Sequence, residues 1–237
     1  MIYITGDTHG NHKRIEQIKE SAICEGDILI ICGDFGYVFG DTIDEAKYLD
    51  ELEKLSFEIC FIDGNHENFH ALYQYPVEKW NGGFVHRIRR NIRHLMRGQL
   101  FYIEGKSFFT FGGAYSIDRY LRQEGVSYWE EELPSNEEYH IATDTLQKND
   151  MRVDYILTHT VPTSMIYRMN MRPDRHDMEL TGFLEWLINE VSFKHWYSGH
   201  WHIDMDLTDN FTVLLNEIVV LGEGAKYQRG IHLNRMW

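Results

Sequence analysis

Five short polar blocks, each closing a hydrophobic run, constrain this chain more than any other feature. They read Gly6-Asp7-Thr8-His9-Gly10, Gly33-Asp34, Gly64-Asn65-His66-Glu67, Thr158-His159 and Gly199-His200-Trp201-His202. A short apolar run that stops at glycine or a polar cluster reads as a strand entering a loop. Such runs recur at Ile2–Thr5, Ile28–Cys32, Glu58–Ile62, Ser107–Phe111, Asp154–Leu157 and Lys194–Ser198. Helix-like stretches lie between the early ones. His12–Ala22 turns Ile15 and Ile18 inward, and Thr42–Leu55 carries Ile43, Ala46, Leu49 and Leu52 on one stripe. Asp177–Val191 follows the helical period most clearly, through Leu180, Phe183, Leu184, Leu187, Ile188 and Val191. Strand–helix–strand alternation predicts parallel crossover units. Ile203–Leu207, Phe211–Leu215 and Glu217–Leu221, joined by short links, predict a meander-like antiparallel tail. We therefore expect an α/β fold, a layered α/β/β/α sandwich of mixed sheets. Its polar blocks should gather at the strand ends, where open α/β sheets bind ligands.

The blocks supply Asp7, His9, Asp34, Asn65, His159, His200 and His202, a set of oxygen and nitrogen donors without a thiolate. Such a set suits a pair of divalent cations, a common device for attacking phosphate esters. One Asp-x-His tripeptide arises easily by chance; five blocks in order, each at a strand end, do not.

That order resembles the calcineurin-like metallophosphoesterase superfamily, over Asp7 to His202. The resemblance implies that Asp7, His9, Asp34 and His202 hold one metal ion. Asp34 would bridge to a second, completed by Asn65, His159 and His200. A bridging carboxylate brings two cations to roughly 3.5–4 Å, close enough to clamp one phosphate and to generate hydroxide near neutral pH. Two divalent ions are the implied cofactors, Mn first, with Fe, Zn or Ni as alternatives. The resemblance also makes His66 the general acid at the leaving-group oxygen. Here the chain departs from the related Ser/Thr protein phosphatases. Their second block, Gly-Asp-x-x-Asp-Arg-Gly, supplies an Asp that supports the catalytic His and an Arg that grips phosphate. In this chain Tyr37 and Val38 stand in those places. Arg119, Arg168 and Arg172 are candidate substitutes for the missing arginine.

Composition narrows the substrate. A net charge of −14 argues against broad binding to nucleic acid or anionic membrane, while bound cations leave a phosphate substrate open. The run His86–Gly98 carries Arg87, Arg89, Arg90, Arg93 and Arg97, without stacking aromatics between them. A solvated basic face paired with the chain's own carboxylates is the simpler reading; a nuclease acting on DNA or RNA is the rival. A small phosphorylated metabolite or nucleotide, as monoester or diester, is the expected substrate. A non-catalytic metal-binding scaffold is the second rival. Asp63 and Glu67 read as strand-end or cap residues, and His12, His70, His195 and His232 as packing or solvated ones. His176 is a candidate pocket contact.

The 237 residues, 43% of them hydrophobic, can bury one large core. We expect a single domain over 1–237, with an insertion or cap at about 114–149 where periodicity is weakest. Cys24, Cys32 and Cys60 lack CxxC spacing and are expected to be buried free thiols. With neither a signal-peptide pattern nor a spanning run, the chain is expected in the cytoplasm, off the membrane. Gly222-Glu223-Gly224 lacks the third glycine and the helix of a dinucleotide fingerprint.

Overall fold

The computed structural model describes residues 1–40 and 42–221 and the backbone of 228–229. Gly222-Glu223-Gly224 and His232 lie outside the described residues.

Three parallel strands open the chain: β1 (Ile2–Thr5), β2 (Ile28–Ile31) and β3 (Glu58–Phe61), joined through helices α1 (His12–Lys19) and α2 (Ile43–Glu53). Alternation sets their faces. Ile2, Ile4, Ile28 and Ile30 point one way into an inter-sheet core, while Tyr3, Leu29 and Ile31 point the other way onto Ile15, Ile18, Leu49 and Leu52 of the helices. A short helix α3 (Phe69–Leu72) leads to β4 (Val77–Trp80), β5 (Gly83–Arg89) and β6 (Ile92–Leu95). β6 joins β3 in parallel, and β5 and β4 follow antiparallel.

The chain then crosses to a second sheet. β7 (Gln99–Ile103) and β8 (Lys106–Phe111) form a hairpin, and β8 pairs in parallel with β9 (Tyr155–Thr158), itself parallel to β10 (His195–Ser198). Between β8 and β9 lie two 3-10 turns and α4 (Asn136–Lys148); α5 (Thr163–Arg168) and α6 (Met178–Glu190) precede β10. Phe109, Phe111, Ile156 and Trp196 face Ala142 and Leu146 of α4 and Leu180, Leu184 and Leu187 of α6. Phe108, Leu157 and Tyr197 face the first sheet. The result is the expected α/β/β/α sandwich of mixed sheets.

Several expectations need correction. The tail is not one meander. β11 (Met205–Thr208) and β12 (Phe211–Val213) form an antiparallel pair in the second sheet, where β12 lies parallel to β10. β13 (Val219–Leu221) instead returns to pair with β1, and β14 (Gln228–Arg229) follows it. On α2, Ile43 and Ala46 are exposed and only Leu49 and Leu52 are fully buried, so the stripe covers the core only in its second half. Cys24 is exposed, on the turn between α1 and β2, while Cys32 and Cys60 are buried; all three are free. Strands β4 to β6 occupy a stretch that the sequence marked only by its arginines. Among the described residues no helix is long and apolar enough to cross a membrane.

Candidate metal centre

All five polar blocks leave the C-terminal ends of parallel strands: β1, β2 and β3 of one sheet, β9 and β10 of the other. The facing sheets bring these ends together. Sharp turns are needed there, and His9, Asp34, His200 and His202 adopt positive φ values of 49°, 48°, 67° and 51°. This conformation is uncommon outside glycine, with Asn, Asp and His the most tolerant side chains. Gly33 (φ 93°) and Gly64 make the close approach possible: a Cβ on Gly33 would lie 2.1 Å from His159 Nδ1, and one on Gly64 2.0 Å from Asp34 Oδ1.

One group of donors comprises Asp7, His9, Asp34 and His202, whose ligand atoms all lie within 4.8 Å of one another. His9 Nε2 and His202 Nε2 face each other at 3.0 Å. Asp7 Oδ2 is 3.3 Å from His202 Nε2, and Asp34 Oδ2 is 3.7 Å from His9 Nε2. Both of these carboxylate oxygens are buried and, among the described residues, accept no hydrogen bond. Their partner oxygens are held by backbone: His200 N–H donates to Asp7 Oδ1 at 3.0 Å and His66 N–H to Asp34 Oδ1 at 2.8 Å.

A second group lies on the other side of Asp34. His159 Nδ1 donates to the Cys32 carbonyl at 2.8 Å, which turns Nε2 toward Asn65 Oδ1 at 3.1 Å and Asp34 Oδ1 at 3.3 Å. Asn65 Nδ2 donates to Ser116 Oγ at 2.9 Å, so the amide oxygen is the atom that faces inward. The His200 ring packs edge-on to His159, with centroids 5.0 Å apart. Asp34 thus touches both groups. A neutral imidazole lone pair aimed at two acceptor oxygens, beside two orphaned carboxylate oxygens, is unfavourable without a positive charge among them. The donor set fits divalent cations.

Electrostatics agree. Burial would raise Asp7, yet contacts with His202 and His9 hold its carboxyl at about 2. Asp34, fully buried, is also held below the usual carboxylate range, chiefly by His159. Burial alone would lower His159; the Asp34 and Asp7 carboxylates instead raise it to about 10, calling up a proton where a metal ion would otherwise bring charge. Burial lowers His200 to about 3, keeping its ring neutral and available as a ligand.

His66 stands beside this centre, its ring centroid 5.4 Å from that of His9. Tyr37, in the place of the supporting Asp, is buried and donates to the Asn11 carbonyl at 2.8 Å, away from His66. The neighbour of His66 is Arg122, whose Nη1 lies 2.8 Å from His66 Nδ1. No motif marks Arg122 in the sequence. Of the three substitutes considered, Arg119 is engaged elsewhere, with Glu132 and over the rings of Tyr115 and Tyr128. Arg168 ends α5 on the surface, and Arg172 is exposed. Glu67 is structural: it accepts from Phe35 N–H at 2.7 Å and Gly36 N–H at 3.3 Å, shaping the loop after Asp34. His176 stacks on Tyr115 and pairs with Asp174.

Two cavities adjoin these elements. A recess of about 430 Å³ opens against His9 and His66 and is lined by Tyr37, Phe39 and Tyr48. The larger, about 1070 Å³, is lined by Asp63, His86, His94 and Arg97 and by none of the seven donors. Size does not mark the chemistry here; donor convergence does. Four of the five arginines of the run are ion-paired, Arg87 with Glu78, Arg89 with Glu53, Arg93 with Glu58 and Arg97 with Asp63, while Arg90 donates to the Glu53 carbonyl.

A crystal structure of a Staphylococcus aureus protein, described provisionally as a 5′-nucleotidase in complex with alpha-ketoglutarate, shares the fold at a TM-score of 0.53 and 14% identity. The match covers 98% of this chain and 52% of that one, so this chain spans about half its length. No curated protein matches the sequence. The family model for calcineurin-like phosphoesterases matches residues 1–204, which takes in every one of the five strand-end blocks; the chain belongs to the calcineurin-like phosphoesterase family.

Proposed function

We propose that this protein is a dinuclear metal-dependent hydrolase of phosphate esters, acting on a small phosphorylated metabolite or nucleotide. The observation that carries the reading is the convergence of unpaired acceptors: Asp7 Oδ2 and Asp34 Oδ2, buried without hydrogen bonds, among imidazole nitrogens. Asp7, His9, Asp34 and His202 would hold one ion, and Asp34, Asn65, His159 and His200 the other, with Mn ahead of Fe, Zn and Ni. Such ions, when bound, withdraw charge from a phosphoryl group and strengthen water as a nucleophile.

The chain's own residues do the rest. Backbone N–H groups of His66 and His200 fix the two carboxylates, and the Cys32 carbonyl fixes the His159 tautomer. His66 is the candidate proton donor to the leaving oxygen. The aromatic recess beside it accepts a leaving group of metabolite or nucleoside size. A fold relative described as a nucleotidase keeps nucleotides among the candidates. The nuclease reading is weakened because four of the five arginines in that run are ion-paired with the chain's own carboxylates. Three free cysteines accord with a reducing compartment, the cytoplasm.

The test is hydrolysis of p-nitrophenyl phosphate and bis-p-nitrophenyl phosphate by chelator-stripped protein, titrated with Mn, Ni, Zn and Mg. Metal should restore turnover, and Asp34→Asn should lose both bound ions and activity by about 10³-fold or more. An Asp34→Asn protein that keeps two ions and full activity would remove the bridging role; metal-loaded wild type inert on every ester class would leave a scaffold.

A further inference from the structure

Between β8 and α4 the chain makes two 3-10 turns, and just after the first (Arg119–Leu121) stands Arg122. Its guanidinium is held from behind: Nε donates to Asp118 Oδ1 at 2.8 Å and Nη1 to the Ser127 carbonyl at 3.1 Å. In front, among the described residues, it meets an imidazole, with Nη1 2.8 Å from His66 Nδ1 and Nη2 3.4 Å from His66 Nε2. A guanidinium offers donors only and is charged throughout the accessible pH range. Its fork matches two oxygens of a carboxylate or phosphate; a ring with nitrogens on opposite edges is a poor match. Asp118 is 44% exposed, so solvent weakens its hold on the charge. Arg122 is therefore prepositioned beside the centre, with its forward N–H groups matched to no oxyanion among the described residues.

We propose that Arg122 is the phosphate-binding arginine of this chain, supplied by the β8–α4 segment rather than by the Gly33-Asp34 block, and that it selects phosphomonoesters over diesters. This rests on the phosphoesterase reading above. A monoester near neutral pH carries a second negative charge that a diester lacks, so the permanently charged guanidinium gains more from the monoester. The incoming phosphoryl oxygens displace the His66 ring from in front of Nη1 and Nη2, giving both groups acceptors where a neutral imidazole offers one. The contact is noncovalent, and the Asp118 and Ser127 bonds keep the guanidinium in place during the exchange.

Arg122→Ala should reduce kcat/KM for p-nitrophenyl phosphate roughly 10²-fold, the loss typical of one strong oxyanion contact. Turnover of bis-p-nitrophenyl phosphate should change less than about threefold on the same grounds. Arg122→Lys should recover part of the monoester loss, since it restores the charge but not the fork. Isothermal titration with inorganic phosphate gives a readout independent of turnover: binding should weaken at least about tenfold in Arg122→Ala, with bound metal and melting temperature unchanged. Equal losses on both esters, a wild type faster on the diester, or unchanged phosphate affinity would each overturn the proposal. Should wild type hydrolyse neither ester with any metal, the phosphoesterase reading fails, and the phosphate titration alone still decides whether Arg122 binds the anion.

Discussion

Asp63 on one hand and the Asp7–Asp34 pair on the other are buried carboxylates that the protein treats in opposite ways. Asp63 is saturated: Oδ1 accepts from His94 Nε2 at 3.1 Å, and Oδ2 from Arg97 Nε at 2.7 Å and Nη2 at 2.5 Å. Beyond His94, the buried His86 ring stacks on it and meets it Nδ1 to Nδ1 at 3.0 Å. The other cluster, Asp7 and Asp34, has histidines for neighbours and leaves an oxygen of each carboxylate without a hydrogen bond. One site contains a permanent cation. The other contains only groups that can give up their protons to become ligands. A buried carboxylate with a fixed guanidinium is a structural joint; buried carboxylates ringed by imidazoles invite a cation from outside.

The largest effect should come from breaking the joint. Arg97→Met should cost about 3–5 kcal/mol, because Asp63 would remain buried and uncompensated. The double variant Asp63→Asn/Arg97→Met should be more stable than Arg97→Met alone, since it strands no charge. Urea unfolding of the three proteins checks this. A double variant no better than the single would mean that Arg97 contributes through packing over the Phe69 ring, 5.5 Å away, and through its bond to the Glu131 carbonyl.

This contrast also shows what the chain reveals before it is folded. The seven candidate donors are legible because each stands one to four residues beyond a strand, where backbone direction alone delivers the side chain to the sheet edge. The layer order followed from runs such as Ile28–Ile31, whose alternation serves two cores at once. Asp63 and Arg97 are 34 residues apart and belong to different strands' exits, so no local period links them. Arg122 reaches His66 across 56 residues from a segment with no regular pattern. The helix α4 was hidden for a different reason. Its capping box, Ser135 with Glu138, is present in the sequence, but only Ala142 and Leu146 are fully buried, too few to make a stripe. Strand β5 escaped notice because Arg87 and Arg89 stand beside buried Val85 and Ile88.

A smaller effect follows from pH. Burial works to raise Asp63, but Arg97 and His94 hold its carboxyl at about 2. The folded value lies below the unfolded one, so the stabilisation is complete above about pH 4 and is lost as pH falls through 2, to the extent of about 2–3 kcal/mol. In Arg97→Met the sign reverses. Burial without the guanidinium places the folded value above the unfolded one, and protonation then relieves the penalty. The gap between wild type and Arg97→Met should therefore narrow as pH is lowered from 6 to 3. A constant gap over that range would show that Asp63 is not the group stranded by the substitution.

The smallest effect should be found at the open cluster, in protein stripped of metal. Asp7→Asn keeps an oxygen in place for the His200 N–H and, unlike Arg97→Met, strands no fixed charge, since the neighbours of Asp7 are imidazoles. Its stability after chelation should fall by about 1–2 kcal/mol, less than the cost of breaking the Asp63 joint. Added Mn should then separate the two proteins. Wild type should gain roughly 3 kcal/mol when free metal exceeds its dissociation constant a hundredfold, because the ion binds only the folded chain. Asp7→Asn should gain much less at the same concentration, having lost a ligand. If Asp7→Asn is instead as damaging without metal as Arg97→Met, then Asp7 is a structural joint like Asp63, and the orphaned oxygens were not left open for a cation.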